Sequence, residues 1–206
     1  MNHKLFFLLK RLADLFFAFL FLVLLLPVFL IVGMAVLIFD GWPIFFLQER
    51  VGKNWRIFRM YKFRTMPTNA PKFAIGLNFK NSRTKIGAFL RRVNIDELPQ
   101  LLNIFIGNMS FVGPRPEIKV FADLFRSREK KIFCYKPGLT SPASLTYINE
   151  DELLKKYKDK RQAYIEKIVP DKIGIDLRYF KKETLDGDLK IVLTTAKKIL
   201  MAIFSA

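Results

Sequence analysis

The feature that most constrains this chain is an uncharged, apolar run over residues 15–39, bracketed by Asp14 and Asp40. As one straight helix at about 1.5 Å per residue it would be roughly 37 Å long, enough to cross the hydrocarbon of a bilayer. The run is too long for the core of a signal peptide, and no small-residue cleavage site follows it. Pro27 lies near its centre, where a proline removes a backbone hydrogen bond and bends a helix. The sequence therefore predicts a membrane segment that is broken at Pro27.

The charges that flank this run do not identify its cytoplasmic end. Lys10 and Arg11 precede it, and Arg50 and Lys53 follow it, whereas a spanning helix usually has its positive charges on the cytoplasmic side. Two arrangements stay open on this basis. A single span with a proline kink is the arrangement that hydropathy alone favours. A kinked hairpin would instead enter and leave by the cytoplasmic face.

The composition limits the classes of partner. The chain has 206 residues and a formal net charge of +17, which suits phosphorylated substrates, an anionic membrane surface or nucleic acid. It contains no motif for DNA or RNA recognition, and we expect no nucleic-acid partner. The single cysteine, Cys134, excludes an internal disulfide and suits a reducing compartment. The length allows a membrane segment in residues 1–40 and one further domain in residues 41–206.

An adjacent carboxylate pair, Asp96 and Glu97, lies at the predicted start of an amphipathic helix. Apolar residues follow the pair at helical spacing, namely Leu98, Leu101, Leu102 and Phe105. Because proline is tolerated only in the first turn of a helix, Pro99 makes Asp96 a better N-cap than Asn94. We expect this helix to end at Gly107. Asp96 would then lie beside unpaired backbone N–H groups, which favour a phosphate.

Basic residues accompany this carboxylate pair. Arg91 and Arg115 flank it, and Lys62 and Arg64 share a parity that allows both to lie on one face of a strand. Fixed anions among fixed cations favour chemistry on a phosphate, with one carboxylate as the nucleophile and the other holding a metal. The ordinary alternative is a helix N-cap followed by an acidic first turn, which is the more common role of such a pair.

The rest of the chain is predicted to form short elements. Two strands that turn near residues 52–54 are expected within residues 44–52 and 55–66, and a loop at residues 67–81. Helices are expected at residues 85–93, 117–133, 151–168 and 189–204, and a rigid loop at residues 137–142. The last helix sets apolar positions against Lys190, Lys197 and Lys198. That pattern suits a helix lying on an anionic bilayer, and packing against a core explains it nearly as well.

Four motifs in this order resemble the bacterial sugar transferase family, the small monotopic phosphoglycosyl transferases. The first joins the membrane segment to Gln48, Arg50, Gly52 and YKFRTM at residues 61–66. The second and most specific is DELPQ at residues 96–100, followed by Asn103, Gly107 and MSFVGPRP at residues 109–116. The third is KPGLT at residues 136–140, and the fourth consists of Asp176, Tyr179 and DLK at residues 188–190. The resemblance covers nearly the whole chain and favours the catalytic interpretation of the carboxylate pair.

The resemblance implies a specific reaction. Such enzymes transfer a sugar-1-phosphate from a UDP-sugar to polyprenyl (undecaprenyl) phosphate, release UMP, and thereby start a surface glycan at the cytoplasmic face of the bacterial inner membrane. By resemblance, Asp96 is the nucleophile on the β-phosphorus and forms a covalent phosphosugar intermediate. Glu97, with Asp96 beside it, would hold Mg²⁺. On physical grounds Lys62, Arg64, Arg91 and Arg115 could neutralise the diphosphate of the substrate, and Asp176 of the fourth motif is a further candidate substrate-binding residue.

The resemblance also implies a fold. It predicts a mostly helical α+β protein that is monotopic, with a re-entrant membrane helix broken at Pro27, small β-hairpins and interfacial amphipathic helices. This expectation takes precedence over the single span. Residues 41–206 would form the catalytic domain, cytoplasmic and membrane-associated, with a UDP-sugar, polyprenyl phosphate and membrane lipid as partners. The donor sugar, the glycan pathway and the oligomeric state stay open, a homodimer included.

Two departures from the family pattern matter. Many members continue the Pro-Gly loop with Gly-Trp-Ala-Gln-Val-Asn-Gly-Arg, whereas residues 141–146 are SPASLT here, so nucleotide or sugar contacts of that loop are not carried over. Members often have Ser-Pro at the membrane break, and here Leu26 precedes Pro27. The alternative of another class is a non-catalytic scaffold that binds anionic lipids through its basic face. An ordinary glycosyltransferase, which would release UDP, and an inactive family member are the remaining alternatives.

Overall fold

The computed structural model describes residues 3–69, 83–148 and 150–204. Within them the chain is mostly helical and carries two small two-stranded sheets, which agrees with the predicted α+β class. The predicted loop at residues 67–81 lies outside the described residues from residue 70 onwards.

The helices and strands follow one another in this order: α1 His3–Leu24, α2 Leu26–Asp40, β1 Phe45–Val51, β2 Ile57–Phe63, α3 Lys85–Arg92, α4 Gln100–Ile106, β3 Ser110–Val112, α5 Lys119–Ala122, β4 Gly138–Thr140, α6 Pro142–Thr146, α7 Glu150–Lys155, α8 Lys160–Ala163, α9 Val169–Phe180 and α10 Leu185–Phe204. Three-residue or longer 3-10 turns cover Lys53–Trp55, Ile95–Glu97 and Glu129–Cys134, and a π-helical turn, Tyr164–Ile168, joins α8 to α9.

The apolar run forms two helices, α1 and α2, that meet at a 60° bend. The bend lies at Leu25, and Pro27 is in the first turn of α2, where its missing N–H breaks no helical hydrogen bond. In the described part of the chain, no helix has by itself the length and hydropathy of a membrane span, and only the bent pair has them jointly. Apolar side chains of the pair face outward, with Ile31 69% and Phe39 73% exposed.

Both helices of this pair also pack against the rest of the protein. Ala18 of α1 is buried in a cluster with Met60, Leu101, Ile104 and Met109, which come from β2, α4 and the segment before β3. Val32 and Val36 of α2 are buried in a second cluster, with Phe63 and Leu90. A third cluster lies among α5, α9 and α10. The apolar pair therefore shares two hydrophobic cores with the elements that follow it.

The predicted hairpin is present as β1 and β2. The strands pair antiparallel, with Phe45 opposite Phe63 and Val51 opposite Ile57. Asn103 of α4, which is fully buried, braces the other side of β2 with its amide group. Its Oδ1 accepts from the N–H of Tyr61 at 3.0 Å, and its Nδ2 donates to the carbonyl of Arg59 at 2.7 Å. The amide side chain of Asn103 therefore makes the two hydrogen bonds to β2 that a neighbouring strand would otherwise make.

Helix α3 and the end of α4 agree with the prediction, since α3 is Lys85–Arg92 and α4 is followed by Gly107 in a left-handed conformation. The single helix predicted at residues 117–133 is wrong. It is divided into α5 and a 3-10 turn, because the Glu129 carboxylate accepts from the N–H of Arg126 and starts a new turn there.

Two further predictions need correction. The helix predicted at residues 151–168 ends at Lys155, and Asp159 caps a new helix by accepting from the N–H of Gln162. The last helix begins at Leu185, ahead of residue 189, because Thr184 accepts from the N–H of Gly187.

The loop predicted at residues 137–142 contains β4, which pairs parallel with β3. The prediction missed it because its partner strand lies far away in the sequence. Gly113 and Gly138 permit the close approach, since a Cβ on Gly138 would lie 2.0 Å from the nitrogen of Gly113. This small sheet fixes where residues 113–116 leave β3.

Candidate active site

The Asp96–Glu97 pair lies in a 3-10 turn, Ile95–Glu97, between α3 and α4. Asn94 has a left-handed backbone conformation, with φ of 56°, which turns the chain out of α3. The α-helix begins only at Gln100, after Pro99. The expectation that Asp96 is the N-cap of this helix is therefore wrong, because a separate turn comes first.

Glu97 is held by two basic side chains from different elements. Its Oε1 accepts from Nζ of Lys62 in β2 and from Nη2 of Arg115 after β3, both at 2.7 Å. Burial alone would raise the pKa of Glu97, but the charges of Arg115 and Lys62 and their hydrogen bonds outweigh burial and lower it strongly. Glu97 is therefore a fixed anion whose charge two cations already balance.

Asp96 has a different environment. It is 5% exposed, and the nearest approach of Arg91 is 4.0 Å, from Nε to Oδ2. That Nε donates to Oγ1 of Thr65 at 2.8 Å. Burial raises the pKa of Asp96, Lys62 opposes the shift, and the negative charge of Glu97 adds to it. The pair thus divides into a strongly acidic Glu97 and a more basic Asp96, the kind of division that accompanies distinct catalytic roles.

The structure does not bring Arg64 to this group. Arg64 lies one residue beyond the end of β2, and its Nη2 donates to the carbonyls of Asp40 and Gly41 at 2.5 and 2.6 Å. These carbonyls are at the C-terminal end of α2, where helical carbonyls lack partners within the helix. The Asp40 carboxylate in turn accepts from Oγ1 of Thr84, which caps α3. Arg64 therefore ties the end of α2 to the elements that carry the site.

Asp176 is a buried residue of α9. Its Oδ1 accepts from the N–H of Ala143 at 2.9 Å, and burial raises its pKa to about 6. Asp176 and Arg115 line one cavity, together with Lys172 and Glu117 and several apolar side chains. Five of the predicted site residues lie together, namely Lys62, Arg91, Asp96, Glu97 and Arg115. Asp176 shares a cavity with Arg115, and Arg64 is bound to the end of α2.

Backbone hydrogen bonds fix the loop that carries Arg115. The N–H of Gly113 donates to the carbonyl of Thr140, and the N–H of Gly138 donates to the carbonyl of Pro114, both at 3.0 Å. No role was predicted for the residues that make these supports. The motifs contained a clue to them, since Gly113, Gly138 and Asn103 all belong to the second and third motifs. The two glycines permit the close approach of β3 and β4, and the amide of Asn103 bonds to the backbone of β2.

The oxygen ligands that the site offers can be compared with those that Mg²⁺ usually takes. Among the side chains that the structure describes, no group of three or more His, Cys, Asp or Glu residues is suited to hold a metal ion. Mg²⁺ usually takes one or two carboxylates and completes its shell with water and substrate phosphate oxygens. The two adjacent carboxylates fit that pattern. Oε2 of Glu97 makes only a 3.4 Å contact with Arg115, so this oxygen retains capacity for a further partner.

The site places two carboxylates among basic side chains, an arrangement of charge that can bind an anionic group, in a protein that also carries a bent apolar helix pair. Residues 5–202 match the family model for the bacterial sugar transferases. The chain therefore belongs to the bacterial sugar transferase family.

Three similar proteins illustrate what the family includes. Galactosyl transferase CpsE of Streptococcus agalactiae serotype III (strain NEM316) is 35% identical over 179 residues, 79% of this chain and 36% of that protein. The UDP-N-acetylgalactosamine-undecaprenyl-phosphate N-acetylgalactosaminephosphotransferase of Aeromonas hydrophila is 34% identical over 199 residues, with 93% and 43% covered. The UDP-glucose:undecaprenyl-phosphate glucose-1-phosphate transferase of Escherichia coli (strain K12) is 32% identical over 197 residues, with 93% and 40% covered. These relatives are enzymes, and the chain spans less than half of the length of each.

Proposed function

We propose that this protein transfers a sugar-1-phosphate from a UDP-sugar to undecaprenyl phosphate, releases UMP, and so starts a surface glycan. The family supports the reaction class, because two of the relatives are named as undecaprenyl-phosphate sugar phosphotransferases. Their names give different sugars at similar identity, so identity alone does not select the donor. The observation that carries the proposal is the unequal environment of Asp96 and Glu97.

Asp96 is the nucleophile in this proposal because Glu97 is already engaged. Two hydrogen bonds of 2.7 Å occupy Oε1 of Glu97, whereas the Arg91 contact with Asp96 is 4.0 Å long. A carboxylate that forms a bond to phosphorus needs an oxygen free of strong donors. It also gains from a raised pKa, because a more basic oxygen is a better nucleophile once it is ionised.

The reaction consists of two displacements at one phosphorus. In the first, a carboxylate oxygen of Asp96 bonds to the β-phosphorus of the donor, the bond to the bridging oxygen breaks, and UMP leaves with that electron pair. In the second, a phosphate oxygen of the polyprenyl phosphate bonds to the same phosphorus, and the bond to Asp96 breaks, which restores the carboxylate. The two steps let one site serve a soluble substrate and a lipid substrate in turn.

The basic side chains have a defined task in both displacements. The diphosphate donor and the phosphate acceptor are anions, so a carboxylate can approach them only if nearby positive charge offsets the repulsion. Arg115, 43% exposed at its side chain, and Arg91, 33% exposed, can reach a substrate while they stay beside the carboxylates. A bound Mg²⁺, held by Glu97 and Asp96, would supply further charge neutralisation on the phosphate oxygens.

We further propose that α1 and α2 form a re-entrant hairpin. Arg11, which lies in the first half of α1 and ahead of the apolar run, donates to the carbonyls of Ile104 and Phe105 at 2.7 and 2.9 Å. At the other end of the pair, the carbonyls of Asp40 and Gly41 accept from Arg64. Both polar ends are thus bound to the same body of the protein. An apolar pair held in this way enters and leaves a bilayer on one face, and we assign that face to the cytoplasm.

Helix α10 supports the same membrane setting. Its exposed apolar residues Leu189, Leu193 and Leu200 recur at helical spacing along one side, with Lys190 and Lys197 beside them. Such a stripe can lie at the boundary between headgroups and acyl chains while lysines contact anionic lipid. The site then meets the phosphate of a lipid substrate without extracting it from the membrane.

The experiment is a measurement of nucleotide release. Purified protein in nanodiscs is incubated with Mg²⁺, undecaprenyl phosphate and UDP-glucose, UDP-galactose or UDP-N-acetylgalactosamine, beside the variants Asp96→Asn and Asp123→Asn. Asp123 is an exposed carboxylate in a surface pair with Lys119, so it is a matched control. We expect UMP from one donor, a phosphosugar adduct in the intact mass of the wild type, and the loss of both in Asp96→Asn alone.

Other outcomes would contradict the proposal in distinct ways. Release of UDP would indicate transfer at the sugar carbon. Full activity of Asp96→Asn would remove Asp96 from the mechanism. Lipid binding that is equal in wild type and Asp96→Asn, with no nucleotide product from a wider donor panel, would favour a non-catalytic scaffold.

A further inference from the structure

Arg50 of β1 makes a set of contacts to which the proposed chemistry gives no role. Its Nη1 donates to the carbonyl of Pro116 at 3.0 Å. Its Nε and Nη2 both donate to Oε1 of Gln48, two residues earlier on the same strand, at 3.1 and 2.6 Å. Gln48 therefore orients the guanidinium, and the guanidinium holds a backbone carbonyl next to Arg115.

The same strand holds the loop at the following residue. The N–H of Val51 donates to the carbonyl of Glu117 at 2.8 Å, and the Glu117 carboxylate accepts from the hydroxyl of the buried Tyr164, also at 2.8 Å. On the N-terminal side of Arg115, β4 binds the backbone of Gly113 and Pro114. The backbone of residues 113–117 is thus held on one side by β4 and on the other by β1.

We propose that Arg50 is a positioning residue that fixes the backbone from which Arg115 reaches Glu97, an inference that rests on the proposed function for its kinetic part. Arg115 is long, its side chain is 43% exposed, and its hydrogen bonds to Glu97 are made at its tip, far from its backbone. A small shift of its backbone would therefore move the guanidinium away from the 2.7 Å contact with Glu97. Prolines on both sides of Arg115 supply no N–H to anchor it, so carbonyl contacts must serve instead.

The alternative is that Arg50 binds a substrate phosphate directly. Three of the five N–H groups of an arginine are already used here, two on Gln48 and one on Pro116. Those three bonds define a planar fork that a lysine cannot reproduce. A direct phosphate contact and a positioning role differ in one measurable respect, which is whether the effect of Arg50 depends on Arg115.

The first test needs no activity. Hydrogen–deuterium exchange is compared among wild type, Arg50→Met and Arg56→Met, the last being an exposed arginine of the same hairpin. We expect at least about tenfold faster exchange in peptides that cover residues 111–119 of Arg50→Met only, with α10 unchanged. Unchanged exchange in those peptides would overturn the inference, and so would faster exchange spread evenly over the whole protein.

The second test is a double-mutant cycle on kcat/KM with Arg50→Met, Arg115→Met and the double variant. If Arg50 acts through Arg115, Arg50→Met lowers kcat/KM by about 10- to 100-fold in the wild-type background and by less than about threefold in Arg115→Met. Losses that multiply would overturn the positioning role and indicate a direct phosphate contact. A wild type without sugar-phosphate transfer would refute the proposed function, while the exchange result would still decide the position of the loop.

Discussion

Replacing Asn103 with leucine tests how much a single side chain contributes to the position of β2. Leucine has the same branched arrangement of side-chain heavy atoms as asparagine but a larger volume, so the substitution removes the hydrogen bonds without leaving a cavity. It would leave the N–H of Tyr61 and the carbonyl of Arg59 without their present partner at a site where Asn103 is fully buried. An orphaned buried group costs about 1–3 kcal/mol, so we expect the free energy of unfolding to fall by roughly 3 kcal/mol. For a chain of this size that corresponds to about 6–12 °C in the unfolding temperature.

The assay is thermal unfolding in one detergent, followed by intrinsic fluorescence, with Asn108→Leu as the matched control. Asn108 is exposed and lies in the turn that follows α4, so the same chemical change there should alter the unfolding temperature by no more than about 2 °C. Because Lys62 follows Tyr61 in β2, Asn103→Leu should also weaken the contact between Lys62 and Glu97. An unfolding temperature of Asn103→Leu within 2 °C of the control would refute the bracing role.

The remaining predictions concern Asp176 and two glycines. Burial raises the pKa of Asp176 to about 6, so the folded protein keeps its proton to higher pH, and stability should fall by roughly 3 kcal/mol between about pH 4 and 6. Asp176→Asn stays neutral and keeps the acceptor for the N–H of Ala143. Chemical denaturation at pH 4.5 and 7 should therefore show a smaller change in its stability with pH than in the wild type. An equal change in both proteins would contradict the raised pKa of Asp176. Gly138→Ala should lower folded yield severely, because its Cβ would lie 2.0 Å from the nitrogen of Gly113. Gly174→Ala, inside α9 where an added Cβ would lie 3.6 Å from Nη1 of Arg178, should raise stability by about 1 kcal/mol in the same denaturation assay.

Local patterns were sufficient for some elements and insufficient for others. The hairpin and α3 were predictable because their signals, alternation with a turn and a short amphipathic run, lie within the element itself. Strand β4 was not, because three residues next to Pro137 become a strand only when β3 is beside them. The predicted helix at residues 117–133 failed for a local reason, since the carboxylate of Glu129 reaches back to the backbone of Arg126.

Sequence patterns likewise predicted some parts of the site and not others. The motifs identified Asp96 and Glu97 as the candidate carboxylates, and charge indicated that Lys62 and Arg115 lie beside them. The 2.7 Å contacts of Lys62 and Arg115 with Glu97 confirm this proximity. Strand parity assigned Arg64 to the same group, but parity applies only inside a strand, and β2 ends at Phe63. The hydrogen bonds that Arg64, Arg50 and Asn103 make to backbone groups around the site could not be predicted, because sequence does not tell which carbonyl lies opposite a given guanidinium or amide.

The polar contacts of α1 set an order in which the protein can be completed. Lys10 binds carboxylates that follow it by 173 and 178 residues, and Asp14 accepts from the N–H of Phe111, 97 residues later. A contact cannot form before its partner leaves the ribosome, so this set of contacts of α1 is complete only after the residues up to Asp188 have been synthesised. The outward phenylalanines and leucines of α1 must be kept from water in the meantime. In the proposed membrane setting the bilayer shelters them, and the nascent chain would assemble its catalytic part on a helix that is already inserted.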